Sequence, residues 1–166
     1  MKLLCLLFAI ASIAPSLSAQ TLAESFRDPQ WSTYIFVSTK MPRASLVTLA
    51  REAVNAKALL VLNGFDDKQT NTTSMQKLIA GINADCCGEN GAAWSIHPKL
   101  FERYGITGAP TFVIARGTGN QPGDFSMVAG DMSLANALKY FSQESKLESI
   151  RVRAGTVYRT TFTNIK

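Results

Sequence analysis

Two adjacent cysteines, a single histidine and a few hydroxyls are the side chains of this sequence with chemistry to offer. Cys86 and Cys87 are the candidate redox pair. Neighbouring cysteines can join only through a small, strained ring, and a strained disulfide is readily reduced. They could equally be one buried thiol beside an exposed one, or pair with a cysteine of another protein. Ser38, Thr39 and Ser45 are possible nucleophiles, but a hydroxyl needs an activating base. The only histidine, His97, stands directly before Pro98 at an expected helix start, which suits a capping or surface residue. Two thiols and one distant histidine make no recognisable metal set. Asp66, Asp67, Asp85, Asp124 and Asp131 lack metal-loop spacing, and no glycine-rich phosphate loop is present. The residues therefore assign no catalytic group, no metal and no cofactor. Asn71-Thr72-Thr73 fits the N-x-[ST] pattern, a triplet that chance supplies readily.

The elements that must position these residues follow from hydrophobic periodicity. Tyr34-Ile35-Phe36-Val37 and Ala58-Leu59-Leu60-Val61-Leu62 are continuous apolar runs of strand length, as expected of parallel strands buried on both faces. Between them, Pro42 falls near the first position of a helix whose Leu46, Leu49, Ala50, Ala53 and Val54 line one face. Thr72 or Thr73 is placed to cap a second helix carrying Met75, Leu78, Ile79 and Ile82. Pro98 opens a short helix that Gly105 ends. Thr111 to Ala115 is a third strand, and a Gly/Pro-rich turn over residues 117–123 leads to a hairpin partner, Phe125 to Ala129. Ser133 or Asp131 caps a last helix with Leu134, Ala137, Leu138 and Phe141 inward. The order β-α-β-α-α-β-β-α predicts an α/β fold of three layers, a mixed central sheet flanked by helices. The basic tail, residues 149–166, is β-prone through Val157, Tyr158 and Phe162, and reads as an extra strand, a partner-binding arm or a disordered end.

The 166 residues carry 17 Lys+Arg and 12 Asp+Glu, a net charge of +5, and 46% are hydrophobic. This is the size and composition of one folded domain, and three cysteines are too few for a disulfide scaffold. No basic run exceeds two residues, which favours a mildly basic surface over nucleic-acid binding. Met1-Lys2, the apolar stretch from Leu3 to Ile13 and Ala14-Pro15-Ser16-Leu17-Ser18-Ala19 read as a cleavable signal peptide over residues 1–19, cut after Ala19. The apolar run is short of the roughly 20 residues that span a bilayer, and no later stretch reaches that length. Cys5 lies inside the leader and forms no lipobox. The expected mature chain has a lead at residues 20–30, a main domain at 31–148 and the tail, in a compartment where disulfides persist.

A βαβ half followed by a ββα half, with Ile106-Thr107-Gly108-Ala109-Pro110-Thr111-Phe112 at the start of the third strand, resembles thioredoxin-like domains. The resemblance implies a cis peptide at Ala109-Pro110. It also implies a C-x-x-C pair between the first strand and the first helix, where this chain reads Ser38-Thr39-Lys40-Met41-Pro42-Arg43-Ala44-Ser45, without cysteine. Over residues 33–132 the sequence is similar to the TrbC family of F-type conjugative transfer systems. The segments that carry this likeness are Tyr34 to Leu46, Ala58 to Phe65 and Ile96 to Val113. Met41-Pro42 followed by Ser45-Leu46 is the distinctive part. Lys40 stands where the family often has serine.

That resemblance implies a periplasmic, non-enzymatic factor for conjugative pilus assembly and DNA transfer, acting with TraW-like partners through protein–protein contacts. A groove formed by Ser38, Thr39, Lys40, Met41, Pro42, Ala109 and Pro110 is the expected partner site, holding an extended peptide by strand addition. The alternative is a periplasmic thiol–disulfide oxidoreductase or isomerase using Cys86 and Cys87.

Overall fold

The structure, a computed structural model, describes residues 30–66 and 69–163. The expected signal peptide, nearly all of the lead, and Asp67 lie outside the described residues. The chain runs β1 (Trp31–Val37), α1 (Arg43–Ala56), β2 (Leu59–Leu62), α2 (Thr72–Cys87), β3 (Ala93–Ile96), α3 (Pro98–Tyr104), β4 (Thr111–Arg116), β5 (Phe125–Ala129), α4 (Leu134–Glu144) and α5 (Glu148–Tyr158), then a π-helical turn at Arg159–Thr163. The strands form one sheet in the order β3-β2-β1-β4-β5. β1 is parallel to β2, with Tyr34 opposite Leu59 and Val37 opposite Leu62, and antiparallel to β4, with Phe36 opposite Thr111. β4 and β5 form the expected antiparallel hairpin. A mixed sheet flanked by helices, with a cis peptide at Ala109-Pro110 opening β4, is the thioredoxin-like arrangement.

Alternation along the strands divides the core into two unequal parts. Ile35, Val37, Leu60, Leu62, Phe112 and Ile114 face α1, α2, α4 and α5, and all are essentially inaccessible to solvent. The opposite face presents Phe36, Val61, Val113 and Ala115 to α3, whose Leu100 and Tyr104 are buried there. On this second side the packing is largely aromatic. Phe101 meets Phe36 edge-on at 4.8 Å between ring centroids, and Tyr104 meets Phe125 in the same way at 4.8 Å. Such pairs contribute about 0.5–1.5 kcal/mol beyond the area they bury.

Three elements differ from the sequence reading. β3 is an additional strand, parallel to β2 at the sheet edge. Its Ala93-Trp94-Ser95-Ile96 is only four residues long and none of them is fully buried, so it does not stand out before pairing. Asn71, rather than Thr72 or Thr73, caps α2: its side chain accepts from Ser74 N at 2.9 Å, and the Ser74 side chain receives the Asn71 N–H in return. Over its described residues, 149–163, the tail is helical rather than a strand. Ile150, Ala154 and Val157 recur at helical spacing on α5 and are buried against the main core. Burial of that stripe outweighs the local β preference of Val157 and Tyr158. α5, which lies beyond residue 147, thus packs as part of the same core as the preceding elements.

Ser133 caps α4 as expected, accepting from Asn136 N at 3.1 Å. A second free donor of that helix, Leu134 N, binds Glu52 Oε2 of α1 at 2.7 Å. Burial raises the Glu52 pKa above the ordinary carboxylate value, and the Leu134 hydrogen bond offsets part of that rise. A carboxyl whose folded pKa is raised contributes stability that is fully present below its unfolded pKa. That contribution is lost as pH rises through the folded value.

Two predictions follow from this packing. Ile150→Ala should cost about 2–5 kcal/mol in urea unfolding, as for a large side chain deleted from a closed core, whereas Val152→Ala on the exposed face of the same helix should cost under about 0.5 kcal/mol. Equal small effects would detach α5 from the core. For Glu52→Gln, which keeps an acceptor for Leu134 N, the urea midpoint should gain on the native chain as pH rises from acid to neutral; parallel curves would contradict the buried-carboxyl account.

Candidate functional site

Parallel pairing of β1 with β2 brings the ends of both strands to one edge of the sheet, and antiparallel β4 begins at the same edge. Three loops therefore converge there, and each is braced by its own polar contacts. After β1, Ser38 closes a turn: its Oγ accepts Lys40 N at 3.2 Å and its carbonyl accepts Met41 N at 3.1 Å. Pro42 then occupies the N-cap position of α1, with extended backbone and no side-chain cap. After β2, the Asp66 carboxylate accepts the Thr39 hydroxyl, which ties this loop to the first. Its other oxygen accepts Gln69 N at 2.7 Å. Before β4, the Thr111 hydroxyl donates to Gly108 O at 2.7 Å, and Pro110 O accepts Gly130 N at 3.1 Å.

Between the loops lies a groove of about 420 Å³, lined by Val37, Ser38, Thr39, Lys40, Leu62 to Asp66, Phe101 and Ile106 to Ala109. Ser38, Thr39, Lys40 and Ala109 of the expected site are thus brought together. Met41, Pro42 and Pro110 are not part of the lining. Met41 packs against the main core, Pro42 points outward at the helix start, and Pro110 is buried at the head of β4. The groove also contains residues that sequence reasoning missed as site residues: Asn63, Gly64, Phe65, Asp66, Phe101, Ile106, Thr107 and Gly108. Phe65, 51% exposed, had been an available signal, because a large aromatic after an Asn-Gly turn is poorly placed for any core.

The groove has the surface chemistry of a binding site. Phe65, Phe101, Ile106 and Leu62 supply apolar walls, Lys40 is an exposed cation at the rim, and loop backbone is accessible at Thr107, Gly108 and Ala109. Two of its hydroxyl groups brace the loops: Thr39 donates to Asp66, and Ser38 Oγ accepts Lys40 N. His97 is half-buried at the N-cap of α3, makes no side-chain cap bond and does not line the groove. Ser45 lies in the first turns of α1, also outside it. Among the described residues, no three His, Cys, Asp or Glu side chains gather as a metal set. Nor is any helix there long and apolar enough to cross a membrane.

Cys86 and Cys87 are joined to each other by a disulfide at the last two positions of α2, and both are half-buried. Arg51 of α1 donates to Cys86 O at 3.3 Å, and Arg43 pairs with Asp85 at 2.6 Å, so α1 grips this end of α2 from two positions. Neither cysteine lines the groove.

Comparison with known proteins bears on this geometry. Among curated proteins, none matches the chain. A solved structure, that of a secreted Mycobacterium tuberculosis disulfide oxidoreductase homologous to E. coli DsbE, is similar at 14% identity, with 80% of this chain and 84% of that chain covered and a TM-score of 0.42. The family model for the type-F conjugative transfer system pilin assembly protein matches residues 35–141, a stretch that begins in β1, runs through all three groove loops and ends in α4. With more than half its length matched, the chain belongs to this family of type-F conjugative pilin assembly proteins.

Proposed function

We propose that the chain acts without catalysis in the periplasm, as an assembly factor of an F-type conjugative secretion system that holds a TraW-like or other pilus-assembly partner in the groove beside cis-Pro110. The single observation that carries this reading is the groove itself. It stands where a thioredoxin-like domain would carry its dithiol, yet its β1–α1 loop reads Ser38 to Pro42 without cysteine, and Thr39 and Ser38 take part in bonds that brace the loops. What is left is a cleft of mixed apolar and polar lining with a cation, Lys40, at its rim, the equipment of a peptide-binding surface. Export is supported by the leader-like residues 1–19, and partnership with pilus-assembly proteins by the family.

The thiol–disulfide alternative draws its support from the Cys86–Cys87 bond. It is the weaker reading, since a segment docked in the groove would not touch that bond. One experiment separates them: complementation of a deletion strain in a plasmid-transfer assay, scored together with pilus formation. Phe65→Ala with Lys40→Glu should lower transfer at least about tenfold, as expected for loss of an aromatic anchor and a rim charge, at unchanged protein level. Cys86→Ser/Cys87→Ser should transfer normally. The reverse pattern would replace the groove reading with the redox one.

A further inference from the structure

We propose that a second recess, between the C-terminal end of α1 and the outer face of α5, binds an acidic peptide segment of a partner protein. The recess has a volume of about 490 Å³, and the polar residues that line it are Asn55, Lys57, Arg153, Thr156, Thr160 and Thr161. It contains two cations and no carboxylate. Among the described residues, ion pairs form at Arg43, Arg116 and Arg151, and neither Lys57 nor Arg153 takes part in one. The recess therefore presents two exposed cations without a neighbouring carboxylate, a locally positive surface.

Two of the three hydroxyls bear on what kind of anion fits. Thr156 Oγ1 donates to Val152 O at 2.9 Å and Thr160 Oγ1 donates to Thr156 O at 3.0 Å, so both protons are spent on the helix and only lone pairs remain. A phosphate brings acceptors alone and would meet those lone pairs unfavourably. A peptide with Asp or Glu brings carboxylates for Lys57 and Arg153 and backbone N–H donors for the threonines and Asn55. A lipid surface fits less well, because the apolar lining residue of α5, Val157, is buried and no exposed apolar side chain of that helix joins the lining.

Lys57 also supplies an unusually clean test. It is the C-cap of α1 at φ 53° and ψ 39°, a left-handed conformation that glycine adopts without strain. Lys57→Gly therefore removes the cation while favouring the backbone. Binding of a fluorescein-labelled Glu/Gly peptide to the purified chain, followed by anisotropy, should be weakened at least about tenfold in Lys57→Gly/Arg153→Gln, and should weaken with added salt. Lys139→Glu, exposed on α4 outside the recess, should bind as the native chain does, and a thermal melt should show the double variant folded. A Gln/Gly peptide of equal length should not compete. Unchanged binding in the double variant would overturn the proposal. So would equal binding of the Gln/Gly peptide, displacement by millimolar inorganic phosphate, or binding to phosphatidylglycerol vesicles in place of the peptide.

Discussion

The double pairing of β1 is the constraint on which the rest depends. With β2 parallel on one side and β4 antiparallel on the other, the ends of β1 and β2 and the start of β4 have to meet. Because the same pairing buries Ile35, Phe36 and Val37 completely, the strand cannot shift to relieve it. A one-residue slip would move Phe36 from the aromatic side of the sheet to the helical side. The groove is thus a consequence of sheet register, and its loops need only small braces, Thr39 to Asp66 and Thr111 to Gly108, to keep their form.

The two faces of the sheet are covered unequally, and this shapes where contacts with other proteins can occur. Four helices lie on one side, while the seven-residue α3 carries the other with its aromatic contacts. On the four-helix side, α5 closes the core through Ile150, Ala154 and Val157, and its outward residues form the basic recess with the end of α1. One helix therefore does two jobs, sealing the core on one stripe and presenting charge on the other.

Much of this was legible from residue order alone. Apolar runs located β1, β2 and β4, helical periodicity located α1, α2 and α4, and the Ala109-Pro110 signature located the cis peptide. The misses share a physical cause. β3 is a strand only because β2 offers it an unpaired edge, and α5 is a helix because its apolar stripe meets a core that sequence windows cannot see. Around the groove, Ser38 to Lys40 come from the strand–helix junction and Ala109 from the segment that opens β4, whereas Phe65 and Asp66 join them through a contact spanning 27 positions of chain. Cysteine spacing was uninformative about the groove, since the Cys86–Cys87 bond closes within one helix end and lies outside it.

The most direct test of the central claim is site-specific photocrosslinking in cells carrying the transfer system, with a photoreactive side chain at Phe65 and, as a control, at Tyr140 on the exposed face of α4. The account predicts an adduct at Phe65 that mass spectrometry identifies as a pilus-assembly component of the same system, and none with that component at Tyr140. A component of that system captured at Tyr140 and never at Phe65 would contradict it.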